Sequence, residues 1–292
     1  MIFINIIGGL GNQMFQYACG RSLSLRSAQE LRLVTDEFMH YKLHNGFQLQ
    51  TAFGLTASIA NPMELKNILG WRASPKLRRL LGHPALRLLT NRNWIGEHDF
   101  QYCHGLAAVK ENCFLRGYWQ SEAYFAEHSA QIRRDFTFKV QWDSEDSETK
   151  QRMKERPSAS IHIRRGDYTH YKNRGIFAPC ELSYYREAVH FMRERIPNLQ
   201  LFVFSDDPDW AESNLSREFD SIMFVRHNIE RCGFYDMRLM SQADHHIIAN
   251  SSFSWWGAWL NPSPSKLVIA PAQWFINGTD DGNLVPANWI RL

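Results

Sequence analysis

Residues 160–168 read Ser-Ile-His-Ile-Arg-Arg-Gly-Asp-Tyr, a buried-strand pattern that stops at two arginines, a glycine and a carboxylate. Ala159, Ile161 and Ile163 supply the apolar alternation, and an open parallel sheet places its ligand crevice where such a strand ends. The residue types there suit an anion. A guanidinium is a planar fork of donors that keeps its charge, and Gly166 lets the backbone turn tightly and approach closely. A surface ion pair between Arg164 or Arg165 and Asp167 is the competing reading of these residues alone.

The same strand-then-polar-loop pattern recurs along the chain. Residues 2–7 form an apolar run broken only by Asn5, as in a central parallel strand. Gly8, Gly9, Leu10, Gly11, Asn12 and Gln13 follow, and then Met14, Phe15, Tyr17, Ala18 and Leu23 come at helical spacing. Strand, glycine loop and helix together present backbone N–H groups and a helix dipole to an anion or to sugar hydroxyls. The loop is neither G-x-G-x-x-G nor a Walker loop. Its glycines fit a plain βα turn equally well, and Asn12 is the residue that favours a site. Residues 31–35 predict a second strand ending at Asp36. Residues 112–117 predict another, leading into Tyr118, Trp119 and Gln120, where aromatic rings beside an amide suit sugar recognition or half-buried packing. Ser121 is placed to cap a helix through Ile132.

In the second half, strands at 201–204, 222–225, 247–249 and 267–270 alternate with helices at 182–195, from 234, and 253–260, the last strand closing the sheet. Such alternation predicts an α/β chain with a doubly wound parallel sheet in each half. The polar stretch 139–157 reads as a solvated helix or an interdomain link, and the domain boundary is placed at 150.

Three loops at strand ends in this half carry complementary chemistry: guanidinium at Arg164 and Arg165, carboxylate at Asp206 and Asp207, hydroxyl at Ser251, Ser252 and Ser254. A nucleoside diphosphate asks for all three, since arginine neutralises phosphate, a carboxylate accepts two bonds from a guanine edge, and hydroxyls and helix amides hold phosphate oxygens. Asp before Pro208 is equally a helix start. Trp255 and Trp256 sit inside a helix and read as packing. Asp244, His245 and His246 are adjacent and do not have zinc spacing. Arginine rather than a metal ion is expected to neutralise the diphosphate.

At 292 residues the chain is long enough for two domains, and 44% hydrophobic with 22% charged residues is a globular composition. A net charge of +3 gives no reason to expect a nucleic-acid partner. No stretch reads as a transmembrane helix or a signal sequence. Five cysteines without a C-x-x-C pair indicate neither a disulfide framework nor structural zinc, and a reduced, cytoplasmic setting is expected. Residues 71–92 are basic and interleaved with leucines. That pattern fits either contact with an anionic membrane surface or an ordinary solvated helix face.

GGLGNQMFQYA at the start, GYWQSEAYF in the middle, HIRRGDY at 162–168, FSDD at 204–207 and ANSSFSWWGAWL at 249–260 together resemble bacterial α-1,2-fucosyltransferases of glycosyltransferase family 11. The blocks keep the family's order and span the chain. The resemblance implies two Rossmann-like domains facing a central cleft (GT-B-like), with 1–150 on the acceptor side and 151–292 binding GDP-fucose. It also implies metal-free transfer with inversion to O2 of a terminal galactose, on an oligosaccharide or a lipid-linked glycan. By the resemblance, Arg164 would bind the β-phosphate, His162 would lie near the guanine, and Asp206 or Asp207 would read its edge. Arg165, Asn250, Ser251, Ser252 and Phe253 would complete the donor site. The loop of Gly8, Gly9, Gly11, Asn12 and Gln13 would face the sugars, with Tyr118, Trp119 and Gln120 on the acceptor side. Arg164, Asn12 and Asp167 are the expected catalytic residues. The general base is left open among Asp167, His170, Asp36, Glu97 and Asp99.

Overall fold

Eleven short strands, every pairing parallel, divide between two sheets in the computed structural model, which describes residues 1–40, 45–97, 100–109, 111–166, 168, 177–228 and 233–292. Asp99, Asp167 and His170, expected as base or catalytic residues, lie outside the described residues. Each sheet belongs to its own unit: 1–139 with 282–284, and 140–281 with 285–292. The expected α/β class, with two Rossmann-like units, is what the chain shows.

The first sheet consists of β1 (Ile2–Asn5), β2 (Leu31–Val34), β3 (Ser58–Ile59), β4 (Trp94–Gly96) and β5 (Cys113–Arg116), in the order β3-β2-β1-β5-β4. β1 is buried along its whole length, which is why it reads as continuously apolar. Phe3, Val34 and Phe114 on one face pack against Leu65, Ile68 and Leu69 of the helix Pro62–Leu69. The chain crosses from one side of β1 to the other, so the ends of β1 and β5 flank the switch point of this sheet.

The second sheet consists of β6 (Ser158–Ile163), β7 (Gln200–Ser205), β8 (Ile222–Phe224), β9 (His245–Ile247), β10 (Val268–Ala270) and β11 (Ile290–Arg291), ordered β11-β10-β9-β6-β7-β8. Its switch point lies between β6 and β9. Alternation along β6 and β7 sorts their side chains by face. Ala159, Ile161, Ile163, Leu201 and Val203 meet the helix Leu182–Arg193, while Phe202 and Phe204 pack with Leu239 and Met240 of the helix Phe234–Met240. His162 falls on the second face, its ring 5.4 Å from that of Phe253.

Several expectations change. β10 does not close the sheet, because β11 pairs outside it. Ser121 caps only the 3-10 turn Glu122–Tyr124, and the helix proper is Ser129–Asp135. The basic stretch 71–92 holds the helix Pro75–Leu81 between 3-10 turns at 70–73 and 84–89, with Pro75 and Pro84 each starting an element because proline lacks an N–H. Within 139–157 the helix Ser144–Met153 is not simply solvated: Asp146 is fully buried on it, at 2.7 Å from Arg238 and 2.9 Å from His227. Among the described residues no helix is long and apolar enough to cross a membrane.

Candidate functional site

At the C-terminal end of β6 the backbone turns around one carboxylate. Asp206, just after β7, accepts the N–H of Arg165 at 2.8 Å and of Gly166 at 3.1 Å, and sits 2.9 Å from the Arg164 guanidinium. A Cβ at Gly166 would stand 2.9 Å from an Asp206 oxygen, so the cradle requires glycine there. Asp207 has a different task. It accepts from the Trp210 N–H at 3.3 Å as N-cap of the helix Pro208–Leu215, and lies 3.2 Å from Nε of Arg165. Arg165 also lies over the Trp210 ring at 3.9 Å, so both of its faces of interaction are structural. Arg164 keeps about a quarter of its side chain exposed at the switch point.

His162 is the most unusual group of this end. It is 4% exposed, its Nδ1 has no hydrogen-bond partner among the described residues, and burial pushes its pKa down to about 4 although Asp206 pulls it up. A neutral imidazole with an unmet polar atom beside the arginine turn fits a polar ligand, since a buried polar atom left unpaired is costly.

Beyond β9, Asn250 is only 3% exposed, and its amide donates to the carbonyls of Ala178 and Trp274, each at 3.1 Å. Tyr168 donates its hydroxyl to the Asn250 carbonyl at 2.8 Å. Asn250 therefore ties loops together, while Ser251 caps the helix Ser252–Leu260 by accepting the Phe253 N–H. Of the residues expected to bind the donor, Arg165, Asp206, Asp207, Asn250 and Ser251 make bonds within the chain's own turns, caps and loops, and His162, Arg164, Ser252 and Phe253 lie at the end of β6 and beyond β9.

In the first unit, Gly8 turns with φ +81°, and a Cβ there would be 2.8 Å from Nδ2 of Asn12. The helix Leu10–Ser27 starts earlier than expected, so Asn12 and Gln13 lie in its first turn rather than in a loop; Asn12 accepts from Gln120 at 2.8 Å, linking that helix start to the loop after β5. Gln13 is fully buried and fully occupied, donating to the carbonyls of Gly8 and Gly46 and accepting the Gln48 N–H. Gln16, which the sequence did not single out, accepts the Ile7 N–H at 2.9 Å and donates to the Gly117 carbonyl at 3.1 Å. Its only signal was its place on the inward face of the helix, three residues after Gln13.

Trp119 corrects an expectation. Its backbone is left-handed (φ +56°) and its ring is fully buried, so it does not offer a stacking face, while Tyr118 is 36% exposed. Glu97, after β4, holds this turn: one of its oxygens, Oε2, accepts the N–H of Tyr118 at 2.6 Å and of Trp119 at 2.8 Å. Burial raises the Glu97 pKa to about 7 against the pull of those two amides. Of the other base candidates described, Asp36 is paired with the buried Arg78.

Among the described residues, no group of three His, Cys, Asp or Glu is placed to hold a metal ion. Asp244 instead accepts from Ser158, and His246 bonds Ser160 and Asn261 inside the fold.

The sequence profile described as Glycosyl transferase family 11 matches residues 91–290. An alpha-1,2-colitosyltransferase of Escherichia coli is 34% identical, over 100% of this chain and 99% of that protein. The chain belongs to glycosyltransferase family 11. A further relative, the O-antigen biosynthesis glycosyltransferase WbnK of Escherichia coli, is 29% identical over 98% of each chain. In fold, this family 11 member is similar to NodZ alpha-1,6-fucosyltransferase crystallised with GDP, with a TM-score of 0.50 and 14% identity over 89% of this chain and 92% of that one.

Proposed function

We propose that this family 11 member transfers L-fucose from GDP-fucose to O2 of a terminal galactose, with inversion and without a metal ion, during assembly of a surface polysaccharide. The observation that carries this reading is the Arg164 guanidinium held at the sheet's switch point by Asp206, next to the unmet Nδ1 of His162. WbnK's O-antigen role supports the polysaccharide setting.

In this reading the second unit takes the donor and the first the acceptor. The galactose O2 forms a bond to the fucose anomeric carbon on the face opposite GDP. The bond to the diphosphate breaks, and its electron pair leaves on the β-phosphate oxygen. Arg164 meets that growing charge and stabilises the transition state more than the ground state. Glu97 accepts the hydroxyl proton: its value near 7 suits a general base, and Oε1 lies outside the two-amide cradle. Asn12 and Gln120 orient the sugars.

The colitosyltransferase relative favours a second reading, in which colitose replaces fucose. Purified protein is to be given a β-galactoside with GDP-fucose or with nucleotide-linked colitose, and the product's linkage read by NMR. An α-1,2-linked fucosyl product supports the first reading. Transfer of colitose alone replaces it, and transfer to a position other than O2 overturns the linkage.

A further inference from the structure

We infer that residues 59–92 form a docking surface for an anionic lipid bilayer, an inference that does not depend on the donor or acceptor proposed above. The segment carries seven basic residues and one acid, Glu64, a net +6, which leaves 26 basic against 29 acidic residues in the rest of the chain. The modest overall charge of +3 therefore conceals a strongly basic segment on a slightly acidic protein. Lys66, Lys76, Arg79, Arg87 and Arg92 are all exposed, and none forms an ion pair with another described residue.

The same segment concentrates exposed apolar surface. Of eight large apolar side chains exposed among the described residues, six fall here, including Met63 (69%), Trp71 (57%), Leu80 (57%) and Leu88 (96%). Local bonds join the turn at 70–73 to the turn at 84–89. Arg72 lies over the Trp71 ring at 4.4 Å and donates from Nε to the Leu89 carbonyl at 2.5 Å, so it bridges the exposed Trp71 and the backbone of the exposed Leu89. In the helix Pro75–Leu81, Arg78 is fully buried and paired with Asp36. That inward anchor leaves its neighbours Arg79 and Leu80 at the surface.

Exposed leucines, a tryptophan and a methionine rimmed by unpaired cations match the boundary between acyl chains and anionic headgroups. A nucleic acid would use the cations and leave the leucines in water. The segment is too interrupted, by Pro75 and Pro84, to span a bilayer, so the contact is peripheral.

The test is co-sedimentation of the whole protein with phosphatidylcholine vesicles, with and without phosphatidylglycerol. Binding should require the anionic lipid and weaken in high salt. Arg79→Glu and Arg87→Glu should each lower the partition coefficient about fivefold or more. Trp71→Ser with Leu88→Ser should lower it about tenfold or more, with turnover of a soluble acceptor unchanged. Equal binding to both vesicle types, or variants that bind like wild type, would overturn the inference. So would binding to polyglutamate without binding to vesicles, which would assign the patch to an acidic polymer.

Discussion

The Arg164 guanidinium lies 2.9 Å from an Asp206 oxygen that also receives the N–H of Gly166, so one carboxylate fixes both the arginine and the backbone turn carrying it. Asp206→Ala removes that support from three donors at once. Donor KM should rise and kcat/KM should fall about 10²-fold, approaching the loss in Arg164→Ala, because a misplaced charge stabilises a transition state poorly. Steady-state kinetics on the two single variants and the double variant check this. Full additivity would mean that Asp206 does not act through Arg164.

Glu97 gives a pH dependence with a defined sign. Its folded pKa of about 7 lies above the ordinary carboxylate value of 4.5, so the native state holds the proton more tightly than the unfolded chain. The stability linked to that proton is full below pH 4.5 and lost as pH rises through about 7. The catalytic base form appears over the same upper range. The acid limb of kcat/KM should therefore bend near pH 7. Glu97→Gln should flatten that limb and lower kcat about 10²-fold or more, with donor binding retained. A Gln variant that keeps the wild-type pH profile would remove Glu97 from the proton transfer.

Asp146 is predicted to matter for stability alone. It is fully buried and accepts from Arg238, His227 and Asn228, tying the helix Ser144–Met153 to the helix Phe234–Met240. Asp146→Ala strands the Arg238 charge in the interior and should cost about 3–5 kcal/mol. Urea denaturation measures it, and a loss below about 1 kcal/mol would show that Arg238 finds other partners.

Gly8→Ala meets two penalties at one position, a left-handed backbone at φ +81° and a contact with the Asn12 amide. A stability loss of about 1–2 kcal/mol is expected from the backbone alone. Displacement of Asn12 should raise acceptor KM more than donor KM, which initial-rate kinetics with each substrate varied would read.

The strands ending at Arg164 and Asp206 were legible because β6 and β7 each run to six residues, long enough for apolar alternation to show. β3 and β11 have only two residues each, too few for any period, and went unseen. Asp146 was hidden for another reason: on a helix crowded with acids, composition does not reveal which one points inward. For Asp206 and Asn250 the residue types disclosed a place at strand ends but not the internal bonds that hold them there. Those bonds join positions 40 or more residues apart for Asp206 and 24 or more for Asn250, which no local pattern reveals. For Trp119 the residue types fit sugar recognition and packing alike, and only the fold shows that its ring is buried while that of Tyr118 is partly exposed.

The most direct test of the account is GDP release from GDP-fucose in EDTA, with and without a β-galactoside, for wild type and Arg164→Ala. The expected result is acceptor-dependent release that survives EDTA and falls about 10²–10³-fold in the variant. Release abolished by EDTA, or unchanged in Arg164→Ala, would contradict an arginine acting where a metal ion otherwise would.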